Sequence, residues 1–193
     1  NAFFSESFID ELAAATKQDP LAFRLNWLKD APRYAAVLKL AADKAAWGTP
    51  LSAGRARGIA LHESFGSIVA QVAEVSLANG QIRVHRVVCA IDCGTVVNPG
   101  TVAQQVESSV IYGLSAALYG KIDIVGGVVQ QSNFSNAPIV SLGQAPQVET
   151  HIVPSTRHPA GVGEPAVPPV APAVANALFA LTGKRLRALP LVV

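Results

Sequence analysis

SIVAQVAEVSLANGQIRVHRVVCAID, residues 67–92, reads as one β-hairpin. Residues 67–77 are a run rich in Val, Ile and Ala, and residues 81–91 return with a similar composition. Between them stands Asn79-Gly80, the dipeptide that best accepts the positive φ angles of a two-residue hairpin turn. On the return strand Arg83, His85 and Val87 alternate with Ile82, Val84 and Val88, which predicts one wetter face giving way to burial. The turn-forming groups Asp92-Cys93-Gly94 and Asn98-Pro99-Gly100 close the strand.

Working outward, extended structure is expected from Arg55, and residues 1–47 read as helical. Ser5 or Ser7 is the expected cap of a first helix carrying Phe8, Ile9 and Leu12 on one face. Asp19-Pro20 is an N-cap followed by proline at the first helical position, opening a short helix with Leu21, Phe23, Leu25 and Leu28. Pro32 starts a third, Ala-rich helix that stops near Trp47-Gly48. Downstream, Val102, Val106, Val110, Leu114 and Leu118 fall at four-residue steps. Ser109, Gly113 and Ala117 form an adjoining small-residue stripe, so residues 101–118 read as a buried helix. Gly126-Gly127 predicts a second hairpin, residues 147–153 a further strand, 154–169 a long loop, and about 170–181 a last apolar helix. The expected fold is α+β: a helical segment at 1–50 and a core at 55–193 with a mixed sheet, hairpins and packed helices, spanning 1–193 as one domain or part of one.

Composition narrows the function. Half of the 193 residues are apolar and 15% are charged, enough to build a substantial core. A formal charge of +2 is too small to imply a nucleic acid or an anionic membrane as partner. No run of about 18 apolar residues is present to span a bilayer. Cys89 and Cys93 lie in or beside one strand without further ligands nearby and read as small core residues, and His62, His85, His151 and His158 lack zinc-site spacing. His62-Glu63 reads as a satisfied hydrogen-bonding pair, because the second histidine of a metalloprotease helix is missing. With no methionine and a helical pattern already running at its start, the sequence reads as a processed or truncated chain, so its first residues say nothing about export.

One loop carries the chemistry. Gly161-Val162-Gly163-Glu164-Pro165 sets a carboxylate between glycines, which permit close backbone approach, and a proline, which stiffens the chain. Glu164 is therefore a candidate base, against the plainer alternative of a carboxylate near a helix start.

The ordered set Ala90-Ile91-Asp92-Cys93-Gly94-Thr95-Val96-Val97-Asn98-Pro99, then Gln105-Val106-Glu107-Ser108-Ser109 with Tyr112-Gly113-Leu114, then Gly161 to Pro165, resembles the molybdenum-cofactor subunit of the xanthine oxidase family. The segments RGIALHESFG at 57–66 and APAVANA at 171–177 are most similar to its branch of isoquinoline 1-oxidoreductase beta subunits, which includes bacterial aldehyde dehydrogenases. The resemblance runs along nearly the whole chain. It implies the C-terminal part of a large subunit that oxidises an aldehyde or an N-heteroaromatic carbon with water-derived oxygen. Glu164 matches the glutamate of the family's GEP motif, which acts as general base toward that oxygen. Gln105 matches the glutamine of the family's GQVEG segment beside the pterin, with Gln104 standing where glycine is usual and Ser108 where a second glycine is usual. Gly163 would let the loop pass close to the metal centre. The cofactor implied is a molybdenum–pterin group in the complete enzyme, with none expected on this chain alone. The partners implied are the remaining parts of the large subunit and a small subunit with iron–sulfur clusters. Relatives in this branch that are exported favour the periplasm over the cytoplasm. The rival expectation is a structural or assembly module of the same fold, inactive without the missing cofactor-binding segments.

Overall fold

Strand β2 (Ser67–Ala78) is buried on both faces over its first nine residues. That burial requires apolar layers on both sides of the sheet. The computed structural model describes residues 1–193, and the strand sits inside a sheet of order β1-β2-β3-β6. β1 (Arg55–Ser64) and β3 (Gln81–Asp92) flank β2 in antiparallel pairs, and β6 (Gln147–Ile152) joins β3 in parallel. On one side, Ile68, Ala70 and Val72 pack with Val88 and Ala90 against Val37, Leu38 and Ala41 of α3 (Pro32–Lys44). On the other, Val69, Ala73 and Val75 pack with Cys89 and Ile91 against α4 (Pro99–Tyr119) and α5 (Val170–Thr182). α1 (Ala2–Ala15) and α2 (Pro20–Trp27) complete the helical layers, and β4 (Ile124–Val125) with β5 (Val128–Val129) forms a separate small hairpin at Gly126-Gly127. This is the α+β arrangement with a mixed sheet that the sequence predicts.

Two sequence expectations need correction. Glu74 pairs with Arg86 but Val75 pairs with Val84, so His85 is an extra residue in β3. This bulge shifts the alternation, placing Val84 and Val87 in the same core cluster rather than on opposite faces. His85 Nε2 meets Ser76 Oγ at 2.8 Å instead of continuing the ladder. The second correction concerns α1. It begins at Ala2 with Asn1 as N-cap, so Ser5 and Ser7 lie inside it, and its buried face is Ala2, Phe3, Glu6, Asp10 and Ala13. Phe8 and Leu12 are exposed.

The physical reason is an edge. β1 is the outer strand of the sheet, and its unpaired backbone groups need partners. Glu6 Oε2 accepts from Leu61 N–H at 2.9 Å, and Asn176 Nδ2 donates to Ile59 C=O at 3.1 Å. Arg24 Nε donates to Glu6 at 3.0 Å, and Arg185 reaches Asp10 at 2.7 Å. α1 thus turns its acids inward to seal the sheet edge, and Phe4 and Phe8 face outward.

α5 rests directly on β1 at Gly58. A Cβ there would stand 2.1 Å from Ala177 N and 2.3 Å from Ala173 C=O. Gly58→Ala should therefore destabilise the protein by about 3 kcal/mol, because helix and strand must separate. Gly143→Ala, where a Cβ meets nothing within 4 Å, should leave the thermal midpoint nearly unchanged. Paired melting curves check both.

Candidate functional site

The loop of residues 154–169 has no secondary structure of its own over most of its length, yet its backbone is fixed at successive points. Arg157 C=O accepts from Thr95 N–H at 2.9 Å and from Thr95 Oγ1 at 2.8 Å. Ala160 N–H donates to Cys93 C=O at 2.9 Å, and Gly161 N–H donates to Phe65 C=O at 3.1 Å. Ser67 Oγ donates to Gly161 C=O at 2.6 Å, and Ser109 Oγ donates to Gly163 C=O at 3.2 Å. Past the glutamate, Gln71 Nε2 donates to the Ala166 carbonyl at 2.7 Å. Ser67 and Gln71 are buried on the same face of β2, so one strand grips the loop on both sides of Glu164. Leaving the buried Ala166 carbonyl unmet would cost about 1–3 kcal/mol.

A second tier holds the pieces that hold the loop. Arg33, at the start of α3, donates through Nε to Asp92 Oδ2 and through its terminal nitrogen to Gly66 C=O at 3.0 Å. Asp92 Oδ1 in turn accepts from Gly94 N–H at 3.0 Å. Gly94 has φ 74°, and a Cβ there would lie 2.1 Å from His158 C=O, so this close approach requires glycine. Burial pushes the Asp92 carboxyl up, but the Arg33 guanidinium and the Gly94 N–H outweigh it and hold the group below its ordinary value.

Within this frame Glu164 is exposed, and its carboxylate makes no hydrogen bond inside the chain. α5 begins only at Val170, so the carboxylate does not belong to that helix's first turn. A Cβ on Gly163 would meet nothing within 4 Å; this residue contributes its carbonyl to Ser109. Gln105 is half-buried in the first turns of α4, one turn before Ser109, with its amide unengaged. Asn98 caps that helix by accepting from Thr101 N–H at 3.2 Å. Gln104 stands apart: it lines a groove of about 730 Å³ along the other flank of α4, with Glu107, Ser108, Ile111, Tyr112 and Ile139 among its walls, and neither Gln105 nor Glu164 borders it.

Sequence reasoning passed over Arg33, Ser67, Gln71 and Ser109 as site residues. A polar Gln at the centre of an apolar strand was the available signal. Cys89 and Cys93 are buried, as expected of core residues, and burial pushes the Cys89 thiol up to about 12. His62 and Glu63 do not pair with each other, because adjacent strand residues point to opposite faces; Glu63 accepts from the Tyr34 hydroxyl.

Comparison with known proteins follows the same lines. A family model described as a molybdopterin cofactor-binding domain matches residues 28–146. The beta chain of the isoquinoline 1-oxidoreductase of Brevundimonas diminuta is 36% identical over 98% of this chain and 25% of its own length. A nicotinate dehydrogenase subunit of Pseudomonas putida is 34% identical over 99% of this chain and 18% of its own. The chain thus spans a quarter or less of the length of these two relatives. Among solved structures, the aldehyde oxidoreductase of Desulfovibrio desulfuricans is 26% identical with a TM-score of 0.57 over 64% of this chain and 14% of that one. The quinoline 2-oxidoreductase of Pseudomonas putida 86, at 19% identity and a TM-score of 0.59 over 64% of this chain and 17% of that one, shares the fold.

The depressed Asp92 carboxyl has a consequence for pH. Its native value lies below its unfolded value of about 3.9, so its stabilisation is complete above that pH and is lost as pH falls through the native value. Urea melts at pH 7 and pH 3 should show Asp92→Asn weakening the protein at pH 7 and having a smaller effect at pH 3, below the unfolded value. An equal loss at both would deny the ion pair with Arg33 this role.

Proposed function

Because the chain belongs to the molybdopterin cofactor-binding domain family, we propose that it forms part of a molybdenum hydroxylase that oxidises an aldehyde or an N-heteroaromatic carbon with water-derived oxygen. The proposed general base is Glu164. The names of its relatives support the substrate class: one is an isoquinoline 1-oxidoreductase subunit, one a nicotinate dehydrogenase subunit and one a membrane-bound aldehyde dehydrogenase of Gluconacetobacter polyoxogenes, 33% identical over 96% of this chain.

One observation carries the assignment of the base. The loop around Glu164 is bonded on both sides, at Gly161 and Ala166, while the carboxylate itself is free. A base must be held within hydrogen-bonding reach of the proton it takes and must not be occupied by an internal partner. A backbone gripped by β2 meets the first demand, and a carboxylate with no intrachain hydrogen bond meets the second. Glu164 then accepts the proton at a carboxylate oxygen while the loop keeps its distance from the reacting carbon constant.

The residues suit a pterin better than a bare metal ion. The Gln105 amide can donate to and accept from a heterocycle, and the chain brings together no group of three or more His, Cys, Asp or Glu side chains able to hold a metal. Gln105 would hold the group, with Gly163 allowing the loop to pass close by, while Gln104 faces the groove on the other flank of α4 and would not reach it. A molybdenum–pterin group, when bound, supplies the redox centre that takes the substrate's electrons. A cofactor site draws on several convergent groups, and Glu164 with Gln105 is too few, so the remaining parts of the large subunit complete it. Exposed apolar residues such as Phe4, Trp27 and Tyr112, at 69%, 77% and 72% exposure, are in keeping with such partners. We assign the onward electron path to iron–sulfur clusters on a small partner subunit.

Glu164→Gln in the complete parent enzyme should retain its molybdenum and lose kcat by roughly a thousandfold, the scale of a lost general base. Metal analysis and steady-state turnover on one preparation check this. Turnover within threefold of wild type would remove Glu164 from the role.

A further inference from the structure

Gln71 is a costly residue for the strand that holds it. It is fully buried in residues 68–73 of β2, a run whose other members are all apolar. Its amide makes one close bond, from Nε2 to Ala166 C=O at 2.7 Å, and reaches Cys89 Sγ only weakly at 3.9 Å. The other end of the amide, Oε1, is buried without a partner. An unmet interior acceptor costs at least as much as one neutral hydrogen bond returns, so stability alone does not select glutamine here.

The bond it makes has a particular destination. Glu164 C=O accepts from Val167 N–H at 3.0 Å, closing a four-residue turn with Pro165 at its second position. Ala166 C=O and Val167 N–H belong to a single planar peptide unit. Gln71 therefore holds the carbonyl end of the same plane whose N–H end bonds Glu164. Two hydrogen bonds in series, from the Gln71 amide through that peptide to the Glu164 carbonyl, polarise in one direction and reinforce each other. Ser109 holds Gly163 C=O, which fixes the peptide entering Glu164 as well. Rotating the peptide that joins Ala166 and Val167 would swing the turn, and the glutamate with it.

We propose that Gln71 is a positioning residue for the Glu164 base: it sets the orientation of the peptide joining Ala166 and Val167, and so the direction in which the turn aims the carboxylate. The inference rests on the functional reading above and adds to it a residue that acts through the backbone from inside the core. The unmet Oε1 is a local conflict between stability and structure, and such conflicts concentrate where function requires a fixed geometry.

Gln71→Met in the complete parent enzyme tests this, because it nearly conserves volume and removes the donor. Turnover per bound molybdenum should fall roughly tenfold with KM within about twofold, below the about hundredfold scale of a full ångström of misplacement. The thermal midpoint should change little, since an unmet carbonyl replaces an unmet amide oxygen. Exchange of the Val167 amide should quicken while the β2 amides stay protected. Gln71→Glu, whose carboxyl burial keeps protonated, offers a hydroxyl to the same carbonyl and should recover most of the lost turnover. In a Glu164→Gln background, Gln71→Met should change the residual turnover by less than about twofold, because the base it positions is gone. An undiminished kcat, the same tenfold loss without Glu164, no recovery by Gln71→Glu, or a loss that only follows falling molybdenum content or folded fraction would each overturn the proposal. Unchanged Val167 exchange would overturn it whatever Glu164 does, whereas wild-type turnover in Glu164→Gln would overturn the functional reading instead.

Discussion

Burial of β2 on both faces is the constraint from which the rest of the structure follows. A strand with no wet side must be covered by helices above and below, which α3 supplies on one side and α4 and α5 on the other. It also favours partners for interior polar groups. Ser67 Oγ and Gln71 Nε2 find theirs by donating to carbonyls of the loop that carries Glu164, although Gln71 Oε1 is left without one. The same interior that stabilises the fold therefore fixes the loop, and the polar residues of the strand connect the core to the candidate site.

This arrangement separates stiffness from reactivity. The loop is bonded through backbone groups at Arg157, Ala160, Gly161, Gly163 and Ala166, and none of those bonds uses the Glu164 carboxylate. Arg33 and Asp92 add a second tier by joining the β1–β2 turn to the end of β3, the two places from which the loop is held. For the base proposed at Glu164, a loop backbone held in this way need not reorganise before a proton is taken, which is the advantage of a preorganised site.

The sequence made some of this legible and concealed the rest for physical reasons. The hairpin was plain because Asn79-Gly80 and the Val-rich flanks agree on one structure. The helix of α4 was equally plain, since its buried Val102, Val106, Val110 and Leu114 keep the helical period. The bulge at His85 was hidden, because one inserted residue leaves the composition unchanged while reversing the alternation. The buried face of α1 is hidden because Glu6 and Asp10 look like solvent-facing acids unless their distant partners Arg24, Arg185 and the β1 edge are known. The GVGEP loop drew notice through its glycines and proline, whereas Ser67, Gln71 and Ser109 acquire a role only when the chain brings them to residues 161–166. Long-range pairing of this kind has no local periodicity to reveal it.

Amide hydrogen exchange in residues 154–169 tests the central claim that β2 and its neighbours hold the Glu164 loop as firmly as the core. Ala160 and Gly161, whose N–H groups bond Cys93 and Phe65, should show protection approaching that of the β2 amides. Exchange of these two amides at the rate of an unstructured peptide, beside a protected β2, would contradict the account.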